Sequence, residues 1–323
     1  MRHSSFLALA LLALTPAATT GAHAQAWPTR QPIKLVIPLS PGSAVDAVAR
    51  PVFDLVSRQI GQSMVFESRA GAGGTLGMAA VAKADGDGYT LLVNSSVHTI
   101  TPSTYTKLPY DTVRDLAAVI PLAQVPNVLV VPPSRFKTVQ ELVAAGKAKP
   151  GSITYGSGGL GAATHLNAER FRLSAGFEAV HVPFKGAADV LREILGDRID
   201  FYFSPVPAAV PLIASNQVRG LAVSSLKRSA ALPDIQTTLE AGYPNSDYVL
   251  WIGLFAPATT PRDIVRRLHD ETAKALAEPT IRDLLKTLGA DPMEMTPEGF
   301  DTFVKNEIGV VAGIVKAAGI QPN

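Results

Sequence analysis

Residues 33–46 read IKLVIPLSPGSAVD, and this stretch decides the class of fold. Its first six residues are apolar apart from Lys34 and stop at Pro38, as a strand buried in a sheet does. Ser43 and Asp46 then stand three apart before a helical pattern running to about Ile60, the spacing of a capping box. The unit repeats at once: 63–67 (SMVFE) reads as a strand, 69–74 (RAGAGG) as a loop, 75–84 as a helix and 90–93 (TLLV) as a strand. Strand and helix alternating in this way predict a parallel sheet with helices on its faces, an α/β fold.

The rest of the chain extends the pattern. Strands are predicted at 116–124 and 127–131, then a helix over 138–148 capped by Thr138 with Glu141 three residues on. Strand 153–155, helix 162–174, strand 178–183, helix 187–196 and strands 200–203 and 220–224 form a second α/β set. Helices at 262–277, 279–288 and 297–318 close the chain. Two sets predict two lobes: 25–125 plus 247–323, and 126–246. The chain would cross between them at 121–126 and 243–251, and two crossings make a hinge with a cleft that closes on a ligand.

The N-terminus has the form of an export signal. Arg2 precedes the apolar run 6–14 (FLALALLAL), Pro16 breaks it, and Ala22-His23-Ala24 offers a small-x-small cleavage site before Gln25. Residues 1–24 are therefore read as a signal peptide and the mature chain as periplasmic. The run is too short for a membrane span, which takes about 20 apolar residues. No later stretch reaches that length without a proline or charge. The chain has no cysteine, which excludes disulfides, thiolate metal sites and cysteine nucleophiles. Its 29 basic residues balance 27 acidic ones, so the charge footprint of a nucleic-acid binder is missing.

Three loops share one logic: strand, small residues, helix N-terminus. The loop 156–161 (GSGGLG) matches G-x-G-x-x-G in form. A dinucleotide site would need an acid near the end of the next strand, whereas Glu178 lies at its start. The loop is then either a tight turn or a carboxylate site built on helix amides. The loops at 41–46 and 71–74 repeat the theme, with Asp46 either bracing its loop or meeting the ligand. His165 either faces the ligand or pairs with Glu169 at i,i+4, and Lys185 is either a cation near the cleft or a solvated lysine. His98, His165, His181 and His269 show no H-x-H or H-x-x-x-H spacing, so no metal or other cofactor is predicted. Tyr155-Gly156-Ser157-Gly158-Gly159 fails the nucleophile-elbow pattern at its first glycine. A hydrolase would need Ser157, His165 and an acid to meet through an unusual turn. The prediction is a binding protein, not an enzyme.

The chain resembles the Bug, or TctC-like, extracytoplasmic receptors of tripartite tricarboxylate transporters. The likeness runs through Trp27-Pro28, Val36-Ile37-Pro38, Pro41-Gly42 and Asp46, Arg69 with Gly71-Ala72-Gly73-Gly74, and Asp87-Gly88-Tyr89-Thr90-Leu91-Leu92. It continues through Leu108-Pro109-Tyr110-Asp111, Val125-Pro126-Asn127, His165-Leu166, His181-Val182-Pro183-Phe184-Lys185-Gly186 and Ala317-Ala318-Gly319-Ile320. The resemblance implies a two-domain periplasmic-binding-protein (Venus flytrap, type II) fold with two crossover strands. It implies a carboxylate ligand held by backbone amides and waters, a membrane permease as partner or else a sensing role, and a monomer. It places the site at Gly42, Ser43, Ala44, Val45, Asp46, Ser95, Ser96, Ser157, Gly158, Ala163, Thr164, His165, Lys185 and Ser204. Two departures matter. The family's P-G-G-G-[ST]-D is Pro41-Gly42-Ser43-Ala44-Val45-Asp46 here, and its Asp-Asn after a strand is Ser204-Pro205. Both predict a less polar pocket, suited to a mono- or dicarboxylate with an apolar or aromatic body.

Overall fold

A computed structural model describes residues 27–39, 41–184 and 186–322. The predicted signal peptide and Lys185 lie outside the described residues. The first lobe begins with β1 (Ile33–Ile37), α1 (Ala44–Ile60), β2 (Met64–Ser68), α2 (Thr75–Ala82), β3 (Thr90–Ser95) and α3 (Val97–Thr104). β4 (Leu116–Val131) leads into α4 (Val139–Ala148), β5 (Ile153–Ser157), α5 (Ala163–Ala175), β6 (Ala179–Pro183), α6 (Ala187–Leu195), β7 (Phe201–Pro205), α7 (Val206–Ala214) and β8 (Arg219–Val223). β9 (Val249–Pro257), α8 (Arg262–Ala277), α9 (Pro279–Thr287), β10 (Asp291–Pro292) and α10 (Pro297–Ala317) return to the first lobe.

The two halves repeat one strand order. In the first, β1 pairs in parallel with β2 and β3, then β3 meets β9 and β9 meets β4, both antiparallel. In the second, β5 pairs in parallel with β6 and β7, and β7 meets β4 antiparallel, with β8 on the far side of β4. The alternation of side chains explains how each sheet is covered twice. Ile33, Leu35 and Ile37 face α1 and α8, while Val36 and Leu92 face α2 and α10 around Trp251, Phe255 and Phe300. In the second half Leu129 and Val131 face α4 and α5, and Val128 and Val130 face α6 and α7.

The caps follow the sequence closely. Ser43 accepts the Asp46 amide at 3.3 Å, Thr138 accepts that of Glu141, and Thr296 that of Gly299. The Asp46 carboxylate reaches back one residue further than a capping box does, to the Gly42 amide at 3.0 Å. Several expectations change. The strands predicted at 116–124 and 127–131 are one strand of 16 residues that changes partner in mid-course: Pro126 stands opposite Val249, and Asn127 opposite Pro205. α3, α7 and β10 were not anticipated. The second crossing is not a strand at its centre, since 246–248 carries no regular structure before β9 begins.

Ser224 joins the two crossings. Its amide donates to the Asn127 carbonyl at 2.8 Å, its carbonyl accepts the Tyr248 amide at 2.7 Å, and its hydroxyl lies 2.6 Å from the Tyr248 carbonyl. The same hydroxyl accepts the Asn127 amide at 3.3 Å. Below this tie an apolar cluster of Ile100, Leu166, Tyr248, Val311, Ile314, Val315 and Ile320 packs α3 and α10 of the first lobe against α5 of the second.

Replacing Ser224 with alanine strips buried backbone groups of their partner, at a cost of about 1–3 kcal/mol. A fall of about 2–6 °C in the thermal midpoint is expected by circular dichroism. An unchanged midpoint would show that the tie contributes nothing.

Candidate ligand-binding site

The strand ends of both lobes run to the crossings. Ser95, at the end of β3, stands opposite Ile252, and the Ser96 amide donates to the Trp251 carbonyl at 3.0 Å. Ser204, at the end of β7, stands opposite Val128. The loops after β1, β3, β5 and β7 therefore leave the sheets on the side of the two crossings. The lobes come close there: a Cβ added at Gly161 would lie 3.3 Å from the Thr104 methyl at the end of α3.

On the first lobe the loop 41–46 is braced from within. Gly42 takes φ +78°, which glycine alone adopts readily. Asp46 is nearly buried and bonds Arg50 at 2.8 Å as well as the Gly42 amide. The Arg50 hydrogen bond leads in holding its carboxyl below the usual aspartate value, against the opposing effect of burial. Asp46 thus braces the loop, Ser43 caps the helix, and Ala44 is exposed. Val45 is packed into the core with Val48 and Phe53. Its branched side chain is turned from the cleft, so it cannot supply the apolar character expected of it there.

On the second lobe the loop after β5 uses most of its own amides. Gly158 donates to the Thr164 hydroxyl at 3.0 Å, Gly159 to the Ser157 hydroxyl at 3.1 Å, and Gly161 to His165 Nδ1 at 3.0 Å. The first turn of α5 behaves differently. Its N-cap is Ala162, which has no side chain to offer, so the amides of Ala163, Thr164 and His165 carry no side-chain cap. Helix N-termini in this condition suit a carboxylate.

The structure pairs Ser157 with a histidine other than the expected His165. Ser157 Oγ lies 2.6 Å from His181 Nε2, and His165 is turned to Gly161. The same oxygen donates to the Gly159 carbonyl at 2.9 Å and accepts its amide, so it is tied into the turn. Among the described residues no carboxylate is hydrogen-bonded to either histidine. Glu169 instead accepts the Tyr155 hydroxyl and pairs with Arg172. Among the described residues no cluster could hold a metal ion.

Sequence reasoning missed the polar layer under the cleft. Glu307 of α10 is buried against Trp251 and Thr99, accepting the indole N–H and, at 3.2 Å, the threonine hydroxyl. Burial pushes its carboxyl up to about 7. The Tyr248 and Ser96 hydroxyls face each other beside it without closing a good hydrogen bond. His98 stacks on Phe255 at 4.1 Å with neither nitrogen partnered among the described residues, and burial pushes it down to about 3, so it is neutral. One signal for Glu307 was present. Phe300, Val304, Val311 and Ile314 fall at helical spacing on the buried face of α10, and Glu307 occupies the gap between them.

A family model described as "Tripartite tricarboxylate transporter family receptor" matches residues 48–320. A relative from Pseudomonas sp. (strain P51), named UPF0065 protein in tcbD-tcbE intergenic region, is 38% identical over 92% of this chain and 88% of its own. The solved structure of R. palustris Rpa4515 with adipate is 34% identical, with a TM-score of 0.77, covering 92% of this chain and 100% of that one. MatC (Rpa3494) from Rhodopseudomonas palustris with bound malate is 27% identical, with a TM-score of 0.73, covering 89% and 99%. The two-domain periplasmic-binding-protein fold is thus shared along the whole described chain. Among the described residues no helix is long and apolar enough to cross a membrane.

The bracing role of Asp46 has a pH signature. Its folded pKa is depressed, so its stabilisation is full above the unfolded value of about 3.9 and is lost as pH falls through the lower folded value. Asp46→Asn should cost at most about 1 kcal/mol at pH 7, because Arg50 is half exposed. The difference from the parent should shrink in urea unfolding as the pH falls below the unfolded value and through the lower folded one. A gap independent of pH would assign the loss to packing alone.

Proposed function

The chain belongs to the tripartite tricarboxylate transporter receptor family, and we propose that it is a periplasmic receptor for a small mono- or dicarboxylate with an apolar or aromatic body. Receptors of this family are periplasmic and bind small carboxylates. The observation that carries the reading for this chain is the uncapped first turn of α5, opening beside Ser157 at the junction of the lobes. Its amides offer donors and a partial positive charge where no other side chain caps them. On the first lobe, Ser95 and Ser96 lie buried at the end of β3, and Ala44 at the start of α1 is exposed.

An apolar body fits the lack of an acid at Ser204-Pro205, which removes the natural partner for a ligand ammonium group. Of the ligands held by the two R. palustris proteins, adipate has an apolar body between its carboxylates, and malate shares only the dicarboxylate ends. The lobes are taken as 25–125 with 247–323, and 126–246. Residues 1–24 direct export, the receptor acts as a monomer, and it hands its ligand to permease subunits in the membrane.

The test is thermal unfolding of residues 25–323 with adipate, succinate, citrate, glutamate, benzoate and terephthalate, each beside its amide. A true ligand at 100 times its dissociation constant stabilises by about 2.7 kcal/mol and raises the midpoint by several degrees. Its amide should not. Ser204→Asp should weaken binding of the acid that gives the shift. Tighter binding by that variant, or equal shifts from acid and amide, would sink the reading.

A further inference from the structure

Behind the loop after β5 the rings of His165 and His181 lie face to face, 3.8 Å between centroids and 8° from parallel. Tyr155 backs them, 5.0 Å from His181 and 6.1 Å from His165. Each ring holds the loop through one nitrogen. His165 Nδ1 accepts the Gly161 N–H, so that nitrogen carries no proton and the ring is the Nε2–H tautomer. His181 Nε2 meets Ser157 Oγ, whose own hydrogen goes to the Gly159 carbonyl, so His181 is the donor there. Gly161, the residue His165 holds, is the one that abuts Thr104 across the cleft.

We propose that His165 and His181 are a positioning pair: they hold the Ser157–Gly161 loop and the α5 N-terminus in ligand-binding geometry while His165 is neutral, so that acid loosens the loop and releases the ligand. This rests on the carboxylate reading above. An imidazolium has no lone pair with which to accept the Gly161 amide, and two imidazoliums stacked at this distance repel.

Glu169 favours a charge on both rings, and burial outweighs it. From α5 itself Glu169 and Arg172 face the stack, but they are paired with each other, and Glu169 also holds Tyr155 of β5. Just before β6, Glu178 lines the same space without bonding to either ring. From the end of the chain, Ala318, Gly319, Ile320 and Gln321 cover it with no charge. Burial pushes His165 down to about 4 and lowers His181 as well. Solvent still reaches the rings through a cavity of about 580 Å³ under that tail, which gives protons a route.

The experiment titrates adipate calorimetrically between pH 7.5 and 4.5 and follows Gly161 amide exchange in the ligand-free protein, for the parent, H165L and H165N. Leucine fills the space and cannot accept the amide. Asparagine can accept through Oδ1 and cannot titrate. H165L should bind adipate at least tenfold more weakly at pH 7.5, and H165N should recover at least threefold of that loss. Between pH 7.5 and 4.5 the parent should lose at least threefold more affinity than H165N, a comparison in which the titration of adipate itself cancels. Gly161 protection should fall at least tenfold in H165L, and in the parent at pH 4.5, but not in H165N. Equal protection in parent and H165L, or identical acid limbs for parent and H165N, would overturn the proposal. If adipate fails to bind the parent, the adipate reading falls, and the Gly161 exchange alone decides the positioning pair.

Discussion

A chain that passes twice between two sheets must keep its backbone hydrogen-bonded while it does so, because a buried unpaired amide or carbonyl costs about as much as a lost hydrogen bond. β4 meets this demand by never leaving a ladder: its partner changes from β9 to β7 and β8 between Pro126 and Asn127. The returning segment has no ladder at that point, and Ser224 supplies the missing partners with its amide, carbonyl and hydroxyl. The two crossings are therefore held side by side, and everything placed at the strand ends inherits its position from them. Ser95 and Ser204 lie buried at strand ends beside the two crossings for this reason, Ser95 opposite Ile252 and Ser204 opposite Val128. The Asn127 side chain extends the tie to α5, donating to Asn167 at 2.9 Å.

The same economy governs the ligand loops. On the second lobe the loop after β5 commits most of its amides internally, and on the first the loop after β1 commits those of Gly42 and Asp46. Asp46 takes the Gly42 amide, and Thr164, Ser157 and His165 take those of Gly158, Gly159 and Gly161. Such loops are ordered before a ligand arrives, and little conformational entropy remains to be lost on binding. The first turn of α5, beyond these loops, carries no side-chain cap. Specificity for one end of a ligand then resides in backbone groups, and the difference between relatives must come from what surrounds the other end.

Much of this was legible in the residues. The alternation of buried strands and amphipathic helices follows from side-chain period, and the caps at Ser43 and Thr138 follow from local chemistry, so both could be read directly. What stayed hidden depended on contacts far apart in sequence. Pro121 and Pro126 argue for a break in β4, yet register shifts beside Pro121 absorb the irregularity and the ladder continues. α3 contains Pro102 and several threonines, and α7 contains Pro211, so neither has the propensity to announce a helix. Tertiary packing forms them. Val45 was expected in the pocket, but the helix periodicity turns it to the core. His181 could not be matched to Ser157 from sequence, since the pairing needs β5 and β6 to lie in register.

The position of β9 bears on how the molecule is made. It is synthesised after the whole second lobe, yet it lies in the interior of the first sheet, between β3 and β4. The first three strands and β4 therefore cannot close their sheet until more than a hundred further residues exist, whereas β5 to β8 find all their partners among near neighbours and β4. Pairings of such long sequence separation are slow to form, because the intervening loop must be closed first. The second lobe can assemble early around β4, and the first waits, with the flanks of β3 and β4 unpaired, for the strand that completes it. During that interval the aggregation-prone surface of the chain is the centre of its first sheet, not its rim.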